Sequence, residues 1–285
     1  MKKVLALISA LVLLISCVPA LAWEKGVTVT VGIVGSTNEY WTIAMADKMK
    51  AEGINLEFVT FSDYNMPNIA LSQGEIDMNS FQHYNYLAKW QADNAANYPT
   101  PLAAIGETLV APLSLYSKKY TSLDEIKEGD TVLVMNDPTN EARALNMLAN
   151  AGLITLAEDA GEFATALHIV ENPKNLYIME LAADVIGAQM DDPSVAVGFL
   201  NGQYATQAGF NHDQALLVEA FDPTNAAQHG IVNIIAVREA DLENELYQYI
   251  AKSFQCKEVA EVFNTLYKGS FIPAWTEEVP AEAIK

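Results

Sequence analysis

The sequence predicts an α/β chain folded as two lobes with a cleft between them. Three observations lead there. From Val27 onward, short runs rich in Val, Ile and Thr alternate with segments of helical period, the order that builds α/β sheets. The strand–helix series restarts within residues 113–131, where a second sheet begins. Strand material then returns late, at Ile231, after the second series is complete. A chain in that order crosses between lobes twice, giving one lobe from residues 27–113 with 231–285 and the other from 114–230. Such folds bind ligands at the carboxyl ends of strands, in the cleft between lobes.

Each element has a local reason. Val27, Val29 and Val31 alternate with Thr28 and Thr30 in a first strand that runs into Gly32-Ile33-Val34-Gly35. Ser36, Thr37 and Asn38 offer caps for a helix whose Trp41, Met45 and Met49 recur every fourth residue, stopped by Gly53. Asn55 to Phe61 reads as a second strand, Pro67 to Gly74 as a short helix, and Glu75 to Phe81 as a third strand. Tyr84 to Asn97 is helical, with Tyr86, Leu87 and Trp90 on one face, and two strand-like runs lie between Pro101 and Ser117. Ser122-Leu123-Asp124-Glu125 is a capping box opening a helix that ends near Gly129. Thr131 to Met135 is a strand, and Asn136 to Asn140 turns into a helix from Glu141 to Ala151. Four further strands are expected at Tyr177 to Leu181, Val195 to Leu200, Leu216 to Glu219 and Ile231 to Val237. Leu242 to Phe254 and Glu258 to Tyr267 are helices, and the residues after Ser270 form an extended tail.

The amino terminus points to export. Lys2 and Lys3 precede an apolar run from Val4 to Ile15 and then small residues, the three-part plan of a signal peptide over residues 1–22. Two processing signals overlap there. Ala20-Leu21-Ala22 suits ordinary cleavage before Trp23, whereas Leu14-Ile15-Ser16-Cys17 suits a lipoprotein signal with Cys17 lipidated. In the second case membrane contact runs only through the lipid; the protein then works in the periplasm or at the outer face of the cytoplasmic membrane.

Composition excludes several function classes. A formal charge of −20, more negative still once Lys2 and Lys3 are removed, argues against nucleic acid and against a basic membrane-docking face. Only two cysteines are present, Cys17 and Cys256, so there is no disulfide framework and no cysteine metal site. His83, His168, His212 and His229 are scattered without ligand spacing. No cofactor is implied. No G-x-S-x-G elbow, H-E-x-x-H helix or Cys–His pairing supports an exported hydrolase. Of 16 basic residues only Arg143 and Arg238 are arginine, the side chain that grips a carboxylate with two parallel hydrogen bonds. Arg238, beside Glu239 at a strand end, reads as a surface ion pair; Arg143 has no partner among its helix neighbours.

Several longer stretches carry a resemblance. They include Phe58-Val59-Thr60-Phe61-Ser62-Asp63-Tyr64, Pro67-Asn68, Gly74-Glu75-Ile76-Asp77 and Phe81-Gln82-His83 with Tyr86-Leu87. Tyr116-Ser117-Lys118-Lys119, Asn136-Asp137-Pro138-Thr139-Asn140 with Arg143, and Glu171-Asn172-Pro173-Lys174-Asn175-Leu176 continue it in the same order. Together they resemble the methionine-binding lipoproteins of the NlpA/MetQ family, from about Val27 to about Lys268. The resemblance implies a two-lobed type II periplasmic-binding-protein fold, no catalysis, and delivery of L-methionine or a similar amino acid to an ABC importer.

Carried over residue by residue, the resemblance assigns Phe61, Tyr64, Phe81 and Tyr86 to the apolar part of the ligand, with His83 beside them. Arg143 would pair the carboxylate, helped by N–H groups at its helix end, while Asn201 and Asn233 would hydrogen-bond the amino and carboxylate groups. The chemistry agrees, because a zwitterion leaving water needs both charged ends paired. Read alone, the aromatics are equally core residues and His83 a structural histidine. Two departures bear on the side-chain pocket. Trp41 follows Gly35-Ser36-Thr37-Asn38-Glu39-Tyr40 where many relatives have a Pro- and Gly-rich turn, and Ala111 replaces an aromatic before Pro112. Both are expected to reach the cleft. A dipeptide or another amino acid as ligand, and a surface interaction protein or antigen with a vestigial cleft, are the alternatives.

Overall fold

The computed structural model describes residues 23–275 except 223 and 269. The signal segment 1–22, with Cys17, lies outside the described residues. The strands sort into two main sheets. The first contains β1 (Val27–Val34), β2 (Ile54–Phe61), β3 (Met78–Asn79) and β4 (Leu102–Val110). The second contains β5 (Ser114–Tyr116), β6 (Thr131–Met135), β9 (Tyr177–Leu181), β10 (Val195–Leu200) and β11 (Leu217–Val218), while β7 (Thr155–Leu156) and β8 (Ile169–Glu171) form a separate ribbon. The chain then returns to the first sheet with β12 (Val232–Arg238) and β13 (Ile272–Pro273). Spatial order is β13-β4-β12-β3-β1-β2 in the first sheet and β11-β5-β10-β6-β9 in the second. β1 runs parallel to β2 and β3, and β6 parallel to β9 and β10; the returning β12 is antiparallel to β3 and β4.

The central parallel strands are buried on both faces and read as continuous apolar runs, whereas the edge strands β2 and β9 are partly exposed. Every residue of β10 is buried, as are the last four of β6. The alternation seen at the start of β1 marks its half-exposed beginning; its last four residues are all buried. The helices are α1 (Ala46–Ala51), α2 (Met66–Gln73), α3 (Tyr84–Asn94), α4 (Pro138–Asn150), α5 (Ala183–Gln189), α6 (Gly202–Gln207), α7 (Glu245–Phe254) and α8 (Lys257–Leu266). Around the first sheet, Trp41, Met45 and Met49 are fully buried against Phe254 and Phe263. Each such side chain contributes about 1.5–3 kcal/mol on burial. Around the second, Leu145 and Leu148 of α4 pack on Val132 to Met135.

Four details differ from expectation. The helix carrying Trp41 opens with a π-helical stretch, Tyr40–Met45, before α1; this wider turn lets neighbouring Tyr40 and Trp41 both point into the core. The third strand shrinks to two residues, and just before it the Asp77 carboxylate takes the Thr30 N–H and hydroxyl, at 2.7 and 2.8 Å. The Ser122 box supports one short turn, Leu123–Glu125: Ser122 Oγ accepts from Asp124 N–H, but Glu125 reaches back to Thr121 N–H, not to the cap residue. Of the extended tail expected after Ser270, the described residues 271–275 are docked on the first sheet. Phe271 is buried and Ile272–Pro273 pair with β4.

Candidate functional site

The cleft is built where strands of both sheets end. α4 is started by Asp137, whose carboxylate accepts from the Asn140 N–H at 2.9 Å, with Pro138 at the first helical position. Asp137 therefore occupies the helix end that was expected to assist Arg143, and Arg143 stands one turn further in. β10 ends at Leu200, so Asn201 stands at the start of α6 beside α4, its side chain free of any capping bond. From the opposite lobe, the loop after β3 presents Phe81, Gln82 and His83, and α3 adds Tyr86. Ala111 lies on the outgoing connection between lobes, and Asn233 on the returning strand β12.

These residues converge on one pocket, lined by Tyr64, Phe81, Gln82, His83, Tyr86, Ala111, Asn140, Arg143, Asn201, Gln203 and Asn233. Seven of the eight residues singled out from the sequence meet there. Phe61 does not join the lining; its ring lies against Gly32 and both neighbouring cores. Trp41 is likewise absent, fully buried with its ring 4.9 Å from that of Phe254. Ala111 does line the cavity.

One wall is aromatic. Tyr64 and Phe81 stack with centroids 5.8 Å apart, and Tyr86 meets each edge-on at 5.9 Å. Burial raises the phenol pKa of Tyr64 and Tyr86 well above the usual value, so both remain neutral donors. The other wall is polar. His83 caps α3 by accepting the Tyr86 N–H on Nδ1 at 3.1 Å. An accepting Nδ1 leaves the ring proton on Nε2, and Nε2 is buried without a protein partner. Burial first, and the Arg143 charge second, depress the His83 pKa to about 3, so the ring is a neutral donor.

Arg143 is held on several sides. Nε and Nη2 donate to the two carboxylate oxygens of Glu219, Nη2 also to the Ala111 carbonyl at 3.1 Å, and Nη1 to Asn140 Oδ1 at 2.8 Å. Asn201 Nδ2 donates to the same Asn140 oxygen at 3.2 Å, and Asn201 Oδ1 accepts from the Tyr64 hydroxyl. Behind Phe81, the buried amides of Asn68, Asn79 and Gln82 bond one another at 2.7–2.9 Å and fix the loop.

Sequence reasoning missed Glu219, Asn140, Gln82 and Gln203. Glu219 lies 76 residues from Arg143, so no local spacing reveals the pair. Asn140 and Gln82 each sit inside a stretch already singled out, which was their available signal. Arg238 pairs with Asp241 at 2.8 Å, not with Glu239, and also donates to the Leu71 and Ile76 carbonyls. Among the described residues, no cluster of three or more His, Cys, Asp or Glu is placed to hold a metal ion.

Comparison with known proteins places this geometry in a family. The profile described as NlpA lipoprotein matches residues 29–275. D-methionine-binding lipoprotein MetQ of Escherichia coli is 38% identical over 245 residues, covering 85% of this chain and 86% of that protein. Outer membrane lipoprotein 3 of Mannheimia haemolytica is 38% identical over 255 residues, 88% of this chain and 92% of that one. Among solved structures, that of the methionine-binding protein MetQ superposes with a TM-score of 0.80 at 36% identity, covering 88% and 99% of the two chains. The substrate-binding protein of a methionine transporter from Streptococcus pneumoniae gives 0.78 at 32% identity, covering 87% and 96%. With nearly its whole described length matched and its cleft residues in one cavity, this chain belongs to the NlpA lipoprotein family.

Proposed function

We propose that this protein captures methionine, or an amino acid of similar shape, outside the cytoplasmic membrane and delivers it to an ABC importer. The observation that carries the reading is the pairing around one pocket of an aromatic wall with Arg143 and the unpartnered His83 Nε2–H. Arg143 and His83 would hold the carboxylate, and the Asn201 and Asn233 carbonyls the ammonium. Tyr64, Phe81 and Tyr86 would surround the side chain, each sulfur–ring contact contributing about 0.3–1.5 kcal/mol. Phe61 would act from behind, by supporting the wall. The relatives named for methionine binding and for a methionine transporter point the same way.

The lobes, taken as residues 27–113 with 231–285 and residues 114–230, would open and close about the two connections, with ligand favouring the closed form because it touches both. The lipoprotein relatives favour a lipid on Cys17 over cleavage after Ala22, tethering the receptor beside its importer.

Mass spectrometry of small molecules released by denaturing the purified protein, with thermal-shift titration of the refolded form, tests this reading. Release of methionine and a matching rise in melting temperature support it; at a hundred times Kd the gain is about 2.7 kcal/mol. No released ligand and no shift with any amino acid or short peptide would point to an interaction protein with an unused cleft.

A further inference from the structure

Glu219 stands just behind the cavity and outside its lining, yet it controls the only arginine in the cleft. The ion pair is enclosed, with the Arg143 and Glu219 side chains 10% and 14% exposed. The same carboxylate accepts the Leu113 N–H at 3.1 Å, and the Glu219 N–H donates to the Leu113 carbonyl at 2.9 Å. Leu113 belongs to the outgoing connection between the lobes, so Glu219 is fixed to the hinge and is not a mobile surface acid.

Donor counting shows what remains for a ligand. A guanidinium has five N–H groups. Glu219 takes two, the Ala111 carbonyl one and Asn140 Oδ1 one, which leaves a single Nη1–H for the cavity. The charge is also cancelled at its source, since the Glu219 carboxylate grips the guanidinium directly. The Asp137 carboxylate, engaged by Thr139 and Asn140, acts on Tyr64 and Tyr86, and that of Asp63 acts on Tyr86, so both add negative charge near the cavity. His83 adds no compensating positive charge, being neutral.

We infer that Glu219 is a specificity-determining residue: by neutralising Arg143 it makes the cleft accept ligands that carry both a carboxylate and an ammonium, and reject carboxylate anions without the ammonium. A zwitterion adds no net charge to a low-dielectric cavity whose arginine is already paired. A monoanion adds one, and that uncompensated charge opposes binding. Glu219 acts through Arg143 and does not itself touch the ligand. The inference rests on the amino-acid reading above.

The test compares Kd for methionine and for 4-(methylthio)butanoate, the same skeleton without its ammonium, in the wild type, Glu219→Gln and Glu219→Asp, using calorimetry. The wild type is expected to prefer methionine strongly. Glu219→Gln keeps an acceptor for Leu113 but loses the charge, and the preference should narrow by about tenfold or more. Glu219→Asp keeps the charge, so it should retain the wild-type preference even if both ligands bind more weakly. A preference that is the same in Glu219→Gln as in Glu219→Asp would overturn the inference, reducing Glu219 to a structural support. Failure of the wild type itself to bind methionine would overturn the underlying reading and the inference with it.

Discussion

The Tyr64 hydroxyl donates to Asn201 Oδ1 across the cleft at 3.2 Å, although Tyr64 follows β2 of one sheet and Asn201 follows β10 of the other. A second bond of the same kind lies nearby, from the Tyr204 hydroxyl to the Ser62 carbonyl at 2.8 Å. Thr37 Oγ1 donates to the Gln203 carbonyl, and Phe271 packs so tightly on Gly202 that an added Cβ would stand 2.5 Å from its ring. On the proposed opening of the lobes these contacts would part.

Tyr204 is absent from the cavity lining, so it reports closure alone. Tyr204→Phe removes one bond of the closed form, a net of about 0.5–1.5 kcal/mol. Methionine should bind roughly 2–10-fold more weakly, with the change mainly in the dissociation rate measured by stopped flow.

Arg143→Ala is expected to remove methionine binding and to lower the melting temperature, because it leaves Glu219 enclosed and unpaired. Losing one partner of such a pair costs about 3–5 kcal/mol. Arg143→Met combined with Glu219→Leu should recover part of the stability but none of the binding. Thermal unfolding and calorimetry on both variants separate the two effects. A single variant that keeps its affinity would remove Arg143 from the site.

His83 makes stability depend on pH. Its folded pKa lies near 3, below the ordinary 6.5, so the unfolded chain takes up a proton that the folded chain refuses between those values. Stability should therefore fall as pH drops from 6.5 toward 3, by at most about 1.4 kcal/mol per pH unit from this group. His83→Asn keeps an acceptor for the Tyr86 N–H and removes the titration. Urea midpoints at pH 7 and pH 4.5 should converge in the variant relative to the wild type, and its methionine affinity should fall because the Nε2–H donor is gone.

The aromatic wall sets side-chain preference. Phe81→Leu removes one ring from beside the thioether position, and methionine should bind about 2–10-fold more weakly. Alanine, too short to reach the ring, should be unaffected. Competition binding with the two amino acids measures this directly.

Much of the fold was legible because its signals are local. The Val/Thr alternation of β1, the Trp41-Met45-Met49 spacing, and the apolar β6 and β10 each arise from contacts that one stretch makes with one core. The short helices α5 and α6 were not, since six or seven residues carry too little period; α5 is held by packing, with Gly187 close against Ala208. The same divide runs through the site. Arg143 stood out by composition, but its partner Glu219 arrives from 76 residues away, and only tertiary structure brings them together. Phe61 and Trp41 carry aromatic character suited to either wall or core, and the backbone turns them inward.

The central claim is that the cavity between Arg143 and the Tyr64–Phe81 wall holds one amino acid. Calorimetric titration of methionine into protein stripped by unfolding and refolding tests it most directly. Saturable binding of one methionine per chain is expected, and its loss in Arg143→Ala. Absence of binding in a correctly refolded wild type, or equal binding in Arg143→Ala, would contradict it.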